Sequence, residues 1–221
     1  MWCIGQLTPQ YRARMYDVLD LYALAYNPDE PVVCVDEKSK QLLGDTRVPL
    51  ACKPGASRKH DYEYERHGTR NLFVAVEPSA GWRQVQVSQH RKKPDFVRFI
   101  QQLLQGRYRK AKKVHIVLDN LNTHFAKCFM EVLGEKRAAK LLSRIEFHYT
   151  PVHASWLNMA EIEIGILDKQ CLDQRMATEE KMIAEVNAWK QKRNRQRKTI
   201  DWTFTKEKAD KKLGKYYVDV A

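Results

Sequence analysis

The sequence predicts an α/β domain built on a mixed five-stranded sheet flanked by helices. Three observations carry this. Two β-branched runs, "VVCVD" (32–36) and "KVHIVLDN" (113–120), read as buried strands that each end on a carboxylate. "NLFVAVEP" (71–78) and "WRQVQVS" (82–88) alternate like strands and are joined at "SAG", the signature of an antiparallel hairpin. After this meander, strands alternate with helical segments. At 221 residues the chain can bury one sizeable core, and it shows no internal repeat.

In order, Thr8 is placed to cap a helix over 9–24, with Pro9 in its first turn and Tyr11, Met15, Val18, Leu19 and Tyr22 on one face. "NPDEP" breaks the chain before the first strand. Residues 38–70 ("LLGDT", "KPGAS", "RHGTR") are polar and rich in turn formers, so an irregular segment with at most a short hairpin is expected. "PDFVRFIQQLLQ" (94–105) has helical periodicity, as does 124–142. "IEFHYT" (145–150) is the last strand, and helices over 154–170 and 178–196 follow. This divides the chain into a helical lead-in (1–30), the α/β domain (31–200) and a basic C-terminal tail (201–221).

Lys and Arg number 39 against 27 Asp and Glu, a net charge of +12. That excess points to a polyanionic partner, nucleic acid first, although solvated lysines on a basic protein would give the same number. No stretch approaches the roughly 18 unbroken apolar residues of a membrane span, and the N-terminus has no charged lead before an apolar segment. A cytoplasmic location is expected. Cys3, Cys34, Cys52, Cys128 and Cys171 are odd in number, scattered and without a CxxC pair. They argue against a disulfide framework and a zinc site, and should be reduced and mostly buried.

Asp36 and Asp119 each close a strand, and functional groups collect at the carboxyl ends of strands in open α/β sheets. Glu161, on the helix of "SWLNMAE", can supply a third carboxylate. Three carboxylates so close would raise one another's pKa values unless hard cations such as Mg²⁺ or Mn²⁺ neutralised them. On the residues alone the set stays open. Asp119 equally suits the cap of a following helix. Glu163 lies two positions and roughly 200° from Glu161 on a helix that is apolar nearly all round. Asp36 and Glu37 point to opposite faces of one strand.

Taken as motifs, "VDE", "LDNLNTH" and "TPVHASWLNMAE" resemble the DDE transposases of bacterial insertion sequences, in the group related to the mariner elements. "HDYEYERHGT", "NLFVAVEP" and "EFHYTP" extend the resemblance over nearly the whole chain. It implies an RNase H-like fold. It also implies a catalytic, metal-binding triad of Asp36, Asp119 and Glu161 holding two Mg²⁺ or Mn²⁺ ions, with Glu161 selected over Glu163. Glu37, Asn120, His124 and Asn158 would support these ligands. The implied partners are transposon ends and target DNA, engaged by a homodimer, with no membrane and no small-molecule substrate. The interval from Asp119 to Glu161 is longer than in many relatives, with the extra residues expected around 131–143. Relatives also carry an N-terminal helix-turn-helix region that recognises transposon ends. About 35 residues precede Asp36 here, so autonomous end recognition is not expected of this chain.

"WKQKRNRQRK" (189–198) adds a basic run in which Lys190, Arg193, Arg195 and Arg197 are the expected DNA contacts, made to phosphates without reading sequence; a solvated helix end is the alternative. Lys59, Arg66 and Arg70 would add to it. Trp156 suits either base stacking or a core position. A host nuclease of the same fold and a non-catalytic DNA-binding remnant are the competing functions.

Overall fold

The computed structural model describes residues 6–55, 57, 59, 61–121 and 125–218. Its sheet has five strands in the order β3-β2-β1-β4-β5: β1 (Val32–Asp45), β2 (Tyr64–Glu77), β3 (Trp82–Ser88), β4 (Val114–Leu118) and β5 (Ile145–Tyr149). The first three form an antiparallel meander, and β4 and β5 run parallel to β1. Among the described residues the helices are α1 (Pro9–Ala23), α2 (Lys93–Gln105), α3 (Ala126–Leu133), α4 (Glu135–Leu142), α5 (Met159–Leu167), α6 (Glu179–Gln196) and α7 (Lys206–Leu213).

Strand alternation divides the core. Val33 and Val35 of β1, Phe73 and Ala75 of β2, and Val114, Ile116 and Leu118 of β4 face α2, α3 and α4, packing on Phe96, Phe99, Phe129 and Ala138. The intervening Cys34, Val76 and Val117 face the other way, against α1, α5 and α7. Leu72 and Val74 continue that second face under α5 and α6, against Leu167, Met182 and Val186.

Three expectations need correction. First, the strand does not end at Asp36. β1 runs on to Asp45 and pairs with β2 as far as Asp45↔Tyr64, with a bulge between Gln41 and Leu43. Residues 38–70, read as irregular, therefore hold a long hairpin. Its outer half is mostly polar and is held by the backbone ladder and by side-chain pairs with α6 and the loop before it. Arg70 pairs with Glu179 at 2.6 Å, and Arg175 reaches the carboxylate of Asp45 and the carbonyls of Glu63 and Asp61.

Second, the expected helix over 124–142 is two, because Gly134 adopts φ 75° between α3 and α4, a conformation that costs glycine little. The expected helix over 154–170 likewise opens with a 3₁₀ turn at Ser155–Leu157 and closes in a π turn at Asp168–Leu172. Third, the C-terminal residues are not a free basic tail. Thr205 caps α7, whose Ala209 and Leu213 share a core with Met15, Val18 and Leu19 of α1. Leu7 bridges to Tyr217, tying the lead-in to the same layer.

Candidate active site

The parallel register Cys34↔Val117, continued by two residues, sets Asp36 level with Asp119. Both have the parity of Cys34 and Val117, so both belong to the face covered by α1 and α5. Each is partly exposed. The site thus forms where β4 stops and β1 continues: Asp36 lies within a strand braced by Val74 of β2 on its other side, and Asp119 opens the loop after β4. Asp36 Oδ1 accepts the backbone N–H of Glu37 at 2.7 Å, and Asp119 Oδ1 accepts that of Leu121 at 3.2 Å.

α5 reaches this edge through its cap. Asn158 is fully buried; its Oδ1 accepts the N–H of Ala160, and its Nδ2 donates to the carbonyl of Val35 at 2.9 Å. Tyr22 of α1 donates to the carbonyl of Leu157 just before it. The helix therefore begins against the residue that precedes Asp36, with Glu161 exposed in its first turn.

Glu163 has the opposite environment. It is wholly buried and ion-paired with Arg83, also wholly buried, at 3.0 Å. Arg193 completes the set with two bonds of 3.1 and 3.0 Å. Two residues on one helix thus divide as the 200° argument requires: Glu163 is committed to the interior and Glu161 meets solvent.

The residues expected to support these ligands lie as follows. Alternation sends the Glu37 side chain to the sheet face opposite Asp36. Asn158 bonds backbone groups through both ends of its amide. Asn120 accepts from Arg14 of α1 and donates to the carbonyl of Thr150, both at 2.6 Å, so it fixes the loop that carries Asp119. His124 lies outside the described residues. Trp156 is neither core nor free: it is 44% exposed, with its ring edge-on to Phe204.

Of the expected DNA contacts, Arg193 is the correction, since its guanidinium is held by Glu163 and lies over Trp189. Burial also pulls the Lys190 ammonium below its usual pKa. Arg195 and Arg197 are exposed, as are Lys192 and Lys198. Gly81, at φ 62°, lies so close to the Arg197 backbone that a Cβ there would be 2.5 Å from it, which fixes this end of α6 on the β2–β3 turn.

Sequence reasoning missed Lys38, two positions beyond Asp36 on the same face and ion-paired with Asp168 at the end of α5. It also missed Arg14 and Arg83. The alternation of β1 carried a signal for Lys38. Nothing local marks an arginine in a strand as buried.

The domain is thus a mixed five-stranded sheet flanked by helices, with two aspartates level where β4 stops beside β1. The profile of the DDE superfamily endonuclease family matches residues 31–183, and the chain belongs to that family. No curated protein matches the chain. Among solved structures it is similar to the Mos1 mariner paired end complex with Mn, with a TM-score of 0.56 and 16% identity over 87% of this chain and 58% of that one. It is also similar to a pre-cleavage Mos1 transpososome, with a TM-score of 0.57 and 13% identity over 100% and 68%. At such identities the likeness establishes an RNase H-like fold, and the chain spans 58% of the length of the first of these relatives. Among the described residues, no helix is long and apolar enough to cross a membrane.

Proposed function

We propose that the chain is the catalytic domain of a DNA transposase of the mariner-related insertion-sequence group, acting in the cytoplasm as a homodimer on DNA. The reading is supported above all by the β1–β4 register, which sets Asp36 and Asp119 level at the carboxyl end of β4, where Asn158 starts α5 against Val35.

In this reading Asp36, Asp119 and Glu161 are the catalytic carboxylates. Three carboxylates are a hard, all-oxygen donor set and suit Mg²⁺ or Mn²⁺. Bound there, such ions would activate an attacking oxygen and stabilise a leaving one. The chain's part is positioning. Asp36 is held within β1 by its pairing with Val74 of β2, and Asp119 is set by its turn and by the Arg14–Asn120–Thr150 chain. Glu161 projects from the first turn of α5, where the helix dipole favours negative charge. Hydrolysis at a transposon end and joining of the freed 3′-hydroxyl to target DNA are one displacement with two nucleophiles, so one site serves both. Arg195 and Arg197, with Lys192 and Lys198, supply phosphate contacts.

The family membership and the likeness to the Mos1 mariner complexes, including a strand transfer complex, support this reading. A plasmid assay tests it. With Mn²⁺ the protein should nick supercoiled DNA and also join a labelled oligonucleotide with a free 3′-hydroxyl to the plasmid. Nicking without joining would favour a nuclease of the same fold, and neither activity would contradict the reading.

A further inference from the structure

A second cluster of chemistry-bearing side chains lies on β4 and β5. The strands pair His115 opposite Glu146 and Val117 opposite His148. His148 Nε2 is 3.0 Å from His115 Nδ1, and Glu146 Oε2 is 3.9 Å from the same nitrogen. The three ligand atoms all lie within 4.8 Å of one another. His148 Nδ1 is 2.8 Å from Asp17 Oδ2 on α1. We propose that His115, His148 and Glu146 form a binding site for a dication of the Zn²⁺ class, separate from the carboxylates around Asp36.

The donor chemistry selects the ion. Two imidazoles and one carboxylate suit Zn²⁺ and its transition-metal neighbours, whereas Mg²⁺ prefers oxygen alone. In a tetrahedral zinc site with bonds of 2.0–2.1 Å, ligand atoms sit about 3.3 Å apart. The separations of 3.0 and 3.9 Å from His115 Nδ1 bracket that spacing, so small side-chain shifts would seat the ion. Asp17 supplies what zinc-binding histidines commonly have, an outer carboxylate that fixes the tautomer. With Nδ1–H of His148 donated to Asp17, its Nε2 keeps a lone pair. His115 Nδ1 donates to that lone pair without metal; moving its proton to Nε2 frees the nitrogen for the ion and releases no net proton.

The charges nearby are Asp17, Glu30 and Glu146 against Lys113, whose Nζ bonds Glu146 at 3.1 Å and is the competitor for that carboxylate. Glu146 is about half exposed, which gives an entry path. The absence of a CxxC pair therefore leaves a zinc site open, since these ligands are not cysteines. An ion here would tie the edge strand β5 to β4 and, through Asp17, to α1.

Zn²⁺ titration of the whole chain against a chromogenic chelator, with thermal unfolding, tests the site. One Zn²⁺ should bind per chain and raise the Tm in the presence of millimolar Mg²⁺. Co²⁺ in its place should give the visible bands of a tetrahedral centre. His115→Gln and Glu146→Gln should lose this binding, and Asp17→Asn should weaken it about 10- to 100-fold. Asp36→Asn should keep it. No stoichiometric Zn²⁺ binding by the wild type, binding unchanged in both His115→Gln and Glu146→Gln, or binding lost in Asp36→Asn would each overturn the proposal.

Discussion

The side chain of Asn158 donates to the carbonyl of Val35 at 2.9 Å, joining residues 123 positions apart in the chain. The same side chain caps α5 through Ala160. One buried amide thus sets both where the helix starts and how it stands against the strand carrying Asp36. Asn158→Ala removes a helix cap, worth about 1 kcal/mol, and leaves the Val35 carbonyl unsatisfied, a further 1–3 kcal/mol or so. Denaturant unfolding should therefore show a loss of about 2–4 kcal/mol, the sum of those two effects. A loss within error of zero would mean that the bond does not hold the helix.

Glu163→Gln should unfold easily. The substitution leaves Arg83, fully buried, without its carboxylate, and breaking a buried pair from one side costs about 3–5 kcal/mol. Arg193→Ala should destabilise in the same direction, since Arg193 also binds Glu163. Equal unfolding midpoints for Glu163→Gln and wild type would contradict the buried network.

Salt dependence separates the basic residues. Neutralising three phosphate contacts should reduce the slope of log K against log salt by about 0.9 each. Arg195→Gln, Arg197→Gln and Lys198→Gln together should therefore flatten the slope for arbitrary duplex by about 2.7, with the fold intact. An unchanged slope would return this end of α6 to plain solvation.

Thiol chemistry should follow burial. Desolvation pushes Cys34 up to about 12, with its hydrogen bond to Tyr22 opposing, and Cys171 up to about 11. Both stay protonated at pH 8 and should resist iodoacetamide, whereas the exposed Cys52 should label. In the unfolded chain these thiols ionise near their ordinary pKa and in the folded chain only above about 11. Their contribution is thus full below pH 9 or so and is lost as pH rises toward their folded pKa values. Rapid labelling of Cys34 in the folded protein, mapped by mass spectrometry, would contradict this.

Much of the fold was legible because apolar period and capping residues are local signals. α1, with its Thr8 cap, and α2 fall within a residue of their expected bounds, and the β2–β3 hairpin was anticipated. The outer half of the β1–β2 hairpin was not. Its side chains are held by Arg175, Arg70 and Lys38 pairing with residues far away in sequence. At the site, the sequence marked Asp36, Asp119 and Glu161 as candidates, but helical periodicity left Glu161 and Glu163 undivided. What separates them is Arg83 on β3 and Arg193 on α6, contacts that no spacing within "MAEIEIG" encodes. Arg193 misled for the same reason: a basic run shows its charge but not which member turns inward.

The most direct measurement is Mn²⁺-dependent nicking of supercoiled DNA by Glu161→Gln, with circular dichroism and unfolding run beside the assay. Glu161 is exposed and Glu163 is not, so this substitution should leave the fold at wild-type stability. If Glu161 completes the metal-binding set with Asp36 and Asp119, nicking should nearly vanish in a fully folded protein, as it should in Asp36→Asn. A folded Glu161→Gln that nicks as fast as wild type would contradict the assignment.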